Sequence, residues 1–279
     1  MFRWFRISLA VALAVVLAAC APAPVRNPLA TWVPSPNHDG RRPVLIVLHA
    51  TEMDSAAGAL DVLRTRNSGG RVSAHYLVAR DGHIYQLVPD SERAWHAGAG
   101  RWGAITDVNS ASIGIELDNN AGEAFPPAQI ASLIRLLGDL TARLRIVPTQ
   151  VIAHADLAPA RKGDPGPLFP WAQLAQAGFG LWPRGTLVDP PPGFDPWTAL
   201  TVIGYPLDDR TATVRAFHAH YRGMQTDTLD TGDLQILYAL TWQLHPLVPP
   251  TLPPMPSAPS DASQCAHPHP TDKTIPCCN

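Results

Sequence analysis

Pro43-Val44-Leu45-Ile46-Val47-Leu48, running directly into His49, is a continuous apolar stretch of strand length. A strand open to water on one side would alternate polar with apolar residues, so this run predicts a central strand covered on both faces. The flanking sequence supplies neighbours for it. Asp54 or Ser55 caps a helix through Arg66, with Ala59, Leu60 and Leu63 at core spacing. His75 to Arg80 and His83 to Val88 flank Asp81-Gly82, which predicts a hairpin closed by a two-residue turn. Ser112-Ile113-Gly114-Ile115-Glu116-Leu117 reads as another strand. Pro127 opens a long amphipathic helix with Ile130, Ile134, Leu137, Leu140 and Leu144 in one stripe. Gln150-Val151-Ile152-Ala153-His154 is a short strand, followed by an irregular loop rich in Pro and Gly. The sum is an α/β domain over residues 37–183, a mixed central sheet with helices on its faces.

The rest of the chain divides by composition. Arg3 and Arg6 precede the apolar run Ile7 to Ala19, which ends in Leu17-Ala18-Ala19-Cys20. That run is too short to span a bilayer comfortably, and a positive flank followed by small residues reads as a lipoprotein signal over residues 1–19. Cleavage before Cys20 would leave that residue carrying several acyl chains, enough for stable anchoring. The small residues before Cys20 favour this over a soluble export signal with a chance cysteine. Ala21 is not an aspartate, and by resemblance to Gram-negative lipoproteins the expected location is the outer membrane, facing the periplasm. Residues 20–36 form a Pro-rich tether.

After Pro190 to Pro192 the sequence turns helical. Val214, Phe217 and Tyr221 share a stripe, and Asp230 with Asp233 caps a further helix carrying Ile236, Leu237 and Leu240, so a small helical module is expected over residues 193–245. Residues 246–279 have little to bury and are expected to be a disordered Pro-rich tail. The mature length suits one sizeable core and a smaller second one. A formal net charge of -2 and the lack of a basic cluster argue against a nucleic-acid binder, and a monomer is expected. Beyond Cys20, the cysteines Cys265, Cys277 and Cys278 all lie in the tail, so disulfides do not build the core. With His267 and His269 they match no closed zinc pattern, which leaves tail disulfides or disorder.

Among eleven histidines, His49 and His154 stand out because each closes an apolar strand. Both can then emerge at one edge of a single sheet, where α/β proteins build their sites. The loop after His154 contains Arg161-Lys162-Gly163-Asp164-Pro165-Gly166, where Pro and Gly can turn Asp164 back to the same point. Two imidazoles and one carboxylate with an open fourth position suit a catalytic zinc ion, because structural zinc sites are closed by four protein ligands.

These residues also form an ordered set of motifs. His49 at its strand end is followed by Ser73-Ala74-His75-Tyr76, Trp95-His96-Ala97-Gly98, the strand with Glu116, and His154 through Lys162-Gly163-Asp164-Pro165-Gly166. Over most of residues 40–175 the chain resembles the zinc N-acetylmuramoyl-L-alanine amidases of the type 2 family, relatives of the peptidoglycan recognition proteins. Within the family it looks most like the outer-membrane lipoprotein amidases with a helical peptidoglycan-binding-like second domain.

The resemblance implies zinc on His49, His154 and Asp164, with peptidoglycan and muropeptides as partners. The bond cut would join N-acetylmuramic acid, or its anhydro form, to L-alanine. Glu116 matches the glutamate that takes the proton of the attacking water and passes it to the leaving amine. Lys162 matches the lysine that stabilises the tetrahedral oxyanion, a type of donor whose removal typically costs on the order of 100- to 1000-fold in rate. Ala74 stands where the recognition proteins carry a catalytic tyrosine, so proton transfer falls to Glu116. Trp95 and His96 match the cleft wall or serve as a packing anchor. His75 either supports a ligand or substrate or is a satisfied core histidine. The second domain either holds glycan or braces the fold. The rival functions are a non-catalytic peptidoglycan-binding protein, which would usually lack a metal ligand, and a hydrolase of the same fold acting on another amide.

Overall fold

The computed structural model describes residues 26–67 and 70–244. The expected signal, Cys20 with the start of the tether through residue 25, and the tail cysteines lie outside the described residues.

Among the described residues ten strands occur in chain order: β1 (Thr31–Trp32), β2 (His38–Gly40), β3 (Leu45–Ala50), β4 (Arg66–Asn67), β5 (Gly70–Arg71), β6 (Tyr76–Val78), β7 (Ile84–Gln86), β8 (Glu92–Ala94), β9 (Ser112–Leu117) and β10 (Val151–Ala153). Six of them form one mixed sheet in the order β1-β7-β6-β9-β3-β10. In it β6 and β7 are antiparallel and the other neighbours parallel. Every residue of β3 is buried, as its unbroken apolar run demands. The strand lies two residues further along than the run suggested and includes His49, because its pairing with β9 extends through His49↔Glu116 and Ala50↔Leu117.

The α-helices are α1 (Ala56–Arg64), α2 (Val108–Ala111), α3 (Pro127–Leu144), α4 (His154–Leu157), α5 (Trp171–Gln176), α6 (Pro196–Ile203), α7 (Arg210–Tyr221) and α8 (Thr231–Leu244). Ser55 caps α1 by accepting from Gly58 N. The helix stops at Arg64 rather than Arg66, since Thr65 turns extended and donates its hydroxyl to Asp61 O at 2.6 Å, satisfying a last-turn carbonyl. Pro127 opens α3 as expected. Its most buried line is Ile130, Leu133, Leu137 and Leu140, with Ile134 and Leu144 only partly covered at the rim.

The hairpin between β6 and β7 differs from the two-residue turn expected. Ala79 N donates to His83 O and Gly82 N to Ala79 O, so three residues, Arg80 to Gly82, make the loop. Gly82 takes φ +87°, the left-handed residue that lets a type I turn close a three-residue hairpin. A Cβ there would also stand 2.7 Å from Ala128 O at the start of α3.

The carboxyl half holds more helix than its Pro-rich sequence suggested. The loop after β10 contains α5, and α6 follows an Asp195 cap that accepts from Trp197 N and Thr198 N with Pro196 as its first residue. At the start of α8, Asp230 N donates to Asp233 Oδ2 and Asp233 N to Asp230 Oδ1, the reciprocal capping expected from that pair. These helices do not bury a core of their own. Leu200, Phe217, Leu237 and Leu240 belong to the same apolar cluster as Ile46, Leu48 and Ile113 of the sheet, and the described residues through Leu244 form one compact unit.

Candidate active site

β3 and β10 are parallel neighbours with Leu48 opposite Ala153, so the next residue of each chain, His49 and His154, leaves the same edge side by side. His154 is already the first residue of α4 rather than the end of a strand. The following turn brings Asp164 back, held by Ala155 N donating to Asp164 O at 2.9 Å. The result is a triangle: His49 Nδ1 to His154 Nδ1 is 2.9 Å, and each lies 3.2 Å from Asp164 Oδ2. All three residues are buried. Ligands about 2.0–2.1 Å from a tetrahedral ion stand roughly 3.3 Å from one another, so the triangle has the size of one face of a zinc polyhedron.

The partners of the remaining ring nitrogens test whether these residues suit a cation. His154 Nε2 lies 2.9 Å from Ala97 O, a pure acceptor, and so carries its ring's proton. His49 Nε2 lies 3.0 Å from His96 Nδ1. A donating His49 Nε2 would leave two Nδ1 lone pairs and a carboxylate oxygen facing one another, an arrangement that a cation satisfies. Asp164 Oδ1 is buried without a partner among the described residues, a further unmet acceptor at the same point. Burial, with His154 beside it, pushes His49 down to about 4, leaving a neutral ring ready to ligate. Burial opposes ionisation of Asp164, but contact with His154 and His49 overcomes it and holds the carboxyl below its usual range.

Glu116 pairs with His49 across β9 and β3 and therefore projects from the same face. Its carboxyl is pushed up to about 8 by burial and by Asp164, with Lys162 pulling the other way. Both Glu116 and Lys162 line a cleft of ≈ 180 Å³ together with the three candidate ligands. Its far walls are Thr51, Glu52 and Met53, then Val62 and Leu63 of α1, and Val72, Ser73, Trp95 and His96. Glu52 adopts φ +54° at the rim, a left-handed conformation uncommon outside glycine.

The structure thus gathers His49, His154, Asp164, Glu116, Lys162, Trp95 and His96 around one cleft. Trp95 stands with the Arg71 guanidinium 4.1 Å from its ring centre. His75 is different: it does not line the cleft, so of the two roles open to it the substrate contact falls away and the core histidine remains. Its ring is fully buried, Nδ1 accepts from Gly114 N at 2.9 Å, and Nε2 lies 3.0 Å from Glu92 O, so main-chain groups occupy both nitrogens. Burial, with Arg41 nearby, holds its pKa well below the usual histidine value, as suits a neutral core histidine. Sequence reasoning passed over Asn109, whose Oδ1 accepts from His96 N and Ala97 N, and Ser112, whose Oγ contacts His96 Nε2. The alternation in β9 was the available signal, because Ser112, Gly114 and Glu116 share the face opposite Ile113, Ile115 and Leu117.

Two imidazoles and a carboxylate presented toward a cleft, beside a second carboxyl and a lysine, make a donor set of the kind a metal-assisted hydrolase uses. The N-acetylmuramoyl-L-alanine amidase family model matches residues 39–167. The N-acetylmuramoyl-L-alanine amidase AmiD of Escherichia coli K12 is 45% identical over 163 residues, 52% of this chain and 56% of the relative. The 1,6-anhydro-N-acetylmuramyl-L-alanine amidase AmpD of Citrobacter freundii is 36% identical over 161 residues, 51% of this chain and 86% of the relative. A solved complex of E. coli AmiD with anhydro-N-acetylmuramic acid-L-Ala-D-gamma-Glu-L-Lys superposes with a TM-score of 0.64 at 34% identity, covering 78% of this chain and 93% of that one. The chain belongs to the type 2 N-acetylmuramoyl-L-alanine amidase family.

Proposed function

We propose that the chain is a zinc amidase that hydrolyses the amide between N-acetylmuramic acid, or its anhydro form, and L-alanine in peptidoglycan or muropeptides. The observation that carries this reading is the triangle of three converging acceptors beside Glu116 and Lys162 in one cleft. The anhydromuramyl peptide named in the solved AmiD complex and the anhydro substrate in the AmpD name support the choice of bond.

His49, His154 and Asp164 would hold the ion. When bound, zinc supplies Lewis acidity, which brings water deprotonation into the neutral range. Glu116, on the same sheet face as His49, is placed to take the proton of the attacking water and return it to the leaving L-alanine amine. A protonated amine leaves far more readily than an amide anion, so the second transfer matters as much as the first. Lys162 lines the same cleft with its ammonium free for the oxyanion, as no hydrogen bond or ion pair of that group is formed among the described residues. Trp95 offers an indole face to the substrate, and burial of the cleft strengthens each of these electrostatic contacts.

Anchoring through Cys20 to the outer membrane, facing the periplasm, fits this substrate because it places the cleft beside the wall. Its support is the lipobox-like run ending in Leu17-Ala18-Ala19-Cys20. Among the described residues no helix is long and apolar enough to cross a membrane.

The test is incubation of the purified chain with defined muropeptides, with and without a chelator, followed by mass spectrometry. Release of peptide beginning at L-alanine, abolished by chelation and restored by zinc, is the expected result. Zinc-loaded protein that binds muropeptides yet cuts none would point to a non-catalytic binding protein instead.

A further inference from the structure

We propose that His96 and Ser112 are positioning residues that hold His49 in the tautomer able to ligate zinc, an inference that rests on the zinc-amidase reading above. The direction of each hydrogen bond follows from a group that can only accept. Ser112 Oγ lies 2.6 Å from Val108 O, and a carbonyl has no proton, so the single hydroxyl proton of Ser112 is spent there. Ser112 Oγ must then accept at its other short contact, 3.2 Å from His96 Nε2. A neutral imidazole has one N–H, so His96 Nδ1 is left as an acceptor, and His49 Nε2, 3.0 Å away, donates to it. The lone pair of His49 is thereby confined to Nδ1, which points at Asp164 Oδ2 and His154 Nδ1.

The surroundings hold this relay in place. The His96 ring lies directly on Gly114 of β9, where any Cβ would overlap it. Asn109 Oδ1 accepts from His96 N at 3.0 Å and from Ala97 N at 2.9 Å, which fixes the backbone at the relay. Ala97 O in turn takes the Nε2 proton of His154. One short loop therefore orients both candidate ligand histidines, and β9 supplies Ser112 and Gly114 beneath His96 and Glu116 on the same face. With both ring nitrogens engaged, His96 serves the metal side of the cleft and has no nitrogen to offer a substrate.

The experiment measures zinc affinity by competition with a chromophoric chelator, and histidine tautomers by long-range proton–nitrogen NMR, in the purified chain and three variants. His96→Leu removes the acceptor for His49 and is expected to lose about 10- to 100-fold in zinc affinity, with both His49 tautomers present in the metal-free spectrum. His96→Asn, whose side-chain oxygen can stand near the position of Nδ1, is expected to restore most of the affinity and the single Nε2–H form. Ser112→Ala frees His96 to adopt either tautomer and gives a smaller loss. Wild-type His49 protonated on Nδ1 in the zinc form, unchanged affinity in His96→Leu, or failure of the Asn variant to recover affinity would each overturn the relay. If His96→Leu does not fold, the wild-type tautomer alone decides. Normal affinities and tautomers in a protein that cleaves no muropeptide would uphold the relay and count against the amidase reading.

Discussion

At Glu116 the role proposed for the carboxyl runs against stability. Its carboxyl is raised to about 8 from an ordinary 4.5, chiefly by burial and secondarily by Asp164. A raised acid favours the folded state only while protonated, so its favourable contribution is complete below pH 4.5 and is lost as pH climbs toward 8. In the metal-free chain Glu116→Gln should therefore melt close to wild type near pH 4.5 and progressively above it toward pH 8. The advantage grows by at most about 1.4 kcal/mol per pH unit. Thermal melts across that range check it, and an advantage that does not grow with pH contradicts the assigned burial. The same variant should retain zinc and lose roughly 100- to 10,000-fold in turnover, as expected for a missing general base. His75 is the contrasting case: fully buried and equally suggestive beside Tyr76, yet spent on Gly114 N and Glu92 O.

The hairpin between β6 and β7 turns on Gly82, which meets two separate constraints. Its φ of +87° penalises any side chain, and a Cβ would stand 2.6 Å from Ser132 Oγ and 2.7 Å from Ala128 O on α3. Gly82→Ala should therefore destabilise the chain by about 1–3 kcal/mol, the range for strain at a special backbone position. Denaturant unfolding measures this. Since Gly82 does not line the cleft, turnover per folded molecule should be unchanged at temperatures well below the melt. The other elements follow their caps more simply: Ser55, Asp195 and Asp209 each accept from the first turn of α1, α6 and α7.

The helical segment is joined to the sheet by apolar burial and by one polar knot. Asp156, fully buried in α4 two residues past His154, accepts from Tyr205 OH at 2.8 Å, His220 Nδ1 at 2.7 Å and Ala153 N at 2.8 Å. Trp171 stacks on His220 with ring centres 3.7 Å apart. Removing α6 to α8 would strip two donors from a buried carboxylate beside the candidate ligand His154 and expose the apolar core at Leu200, Phe217 and Leu237. Calorimetry of the intact chain should show residues 26–244 unfolding in one transition, and deletion of residues 193–244 should abolish cooperative melting. Two resolved transitions, or a stable fragment ending near residue 183, would show instead that the helices form a separable module.

How much of this was legible in the chain depends on the range of the interaction. Burial of β3, the helix opened by Pro127, the capping pair Asp230 and Asp233, and the convergence of His49, His154 and Asp164 could be read directly. Each rests on local periodicity or on strand ends that a parallel sheet must bring to one edge. The strand Ser112 to Leu117 also carried, in its alternation, the floor of the site. The length of the hairpin loop, the burial of His75, the hydrogen-bond sequence from Val108 through Ser112 and His96 to His49, and the sharing of one core by helices and sheet were not local properties. They depend on which carbonyl meets which proton between segments tens of residues apart, and a buried polar group finds its partner only after packing has excluded water.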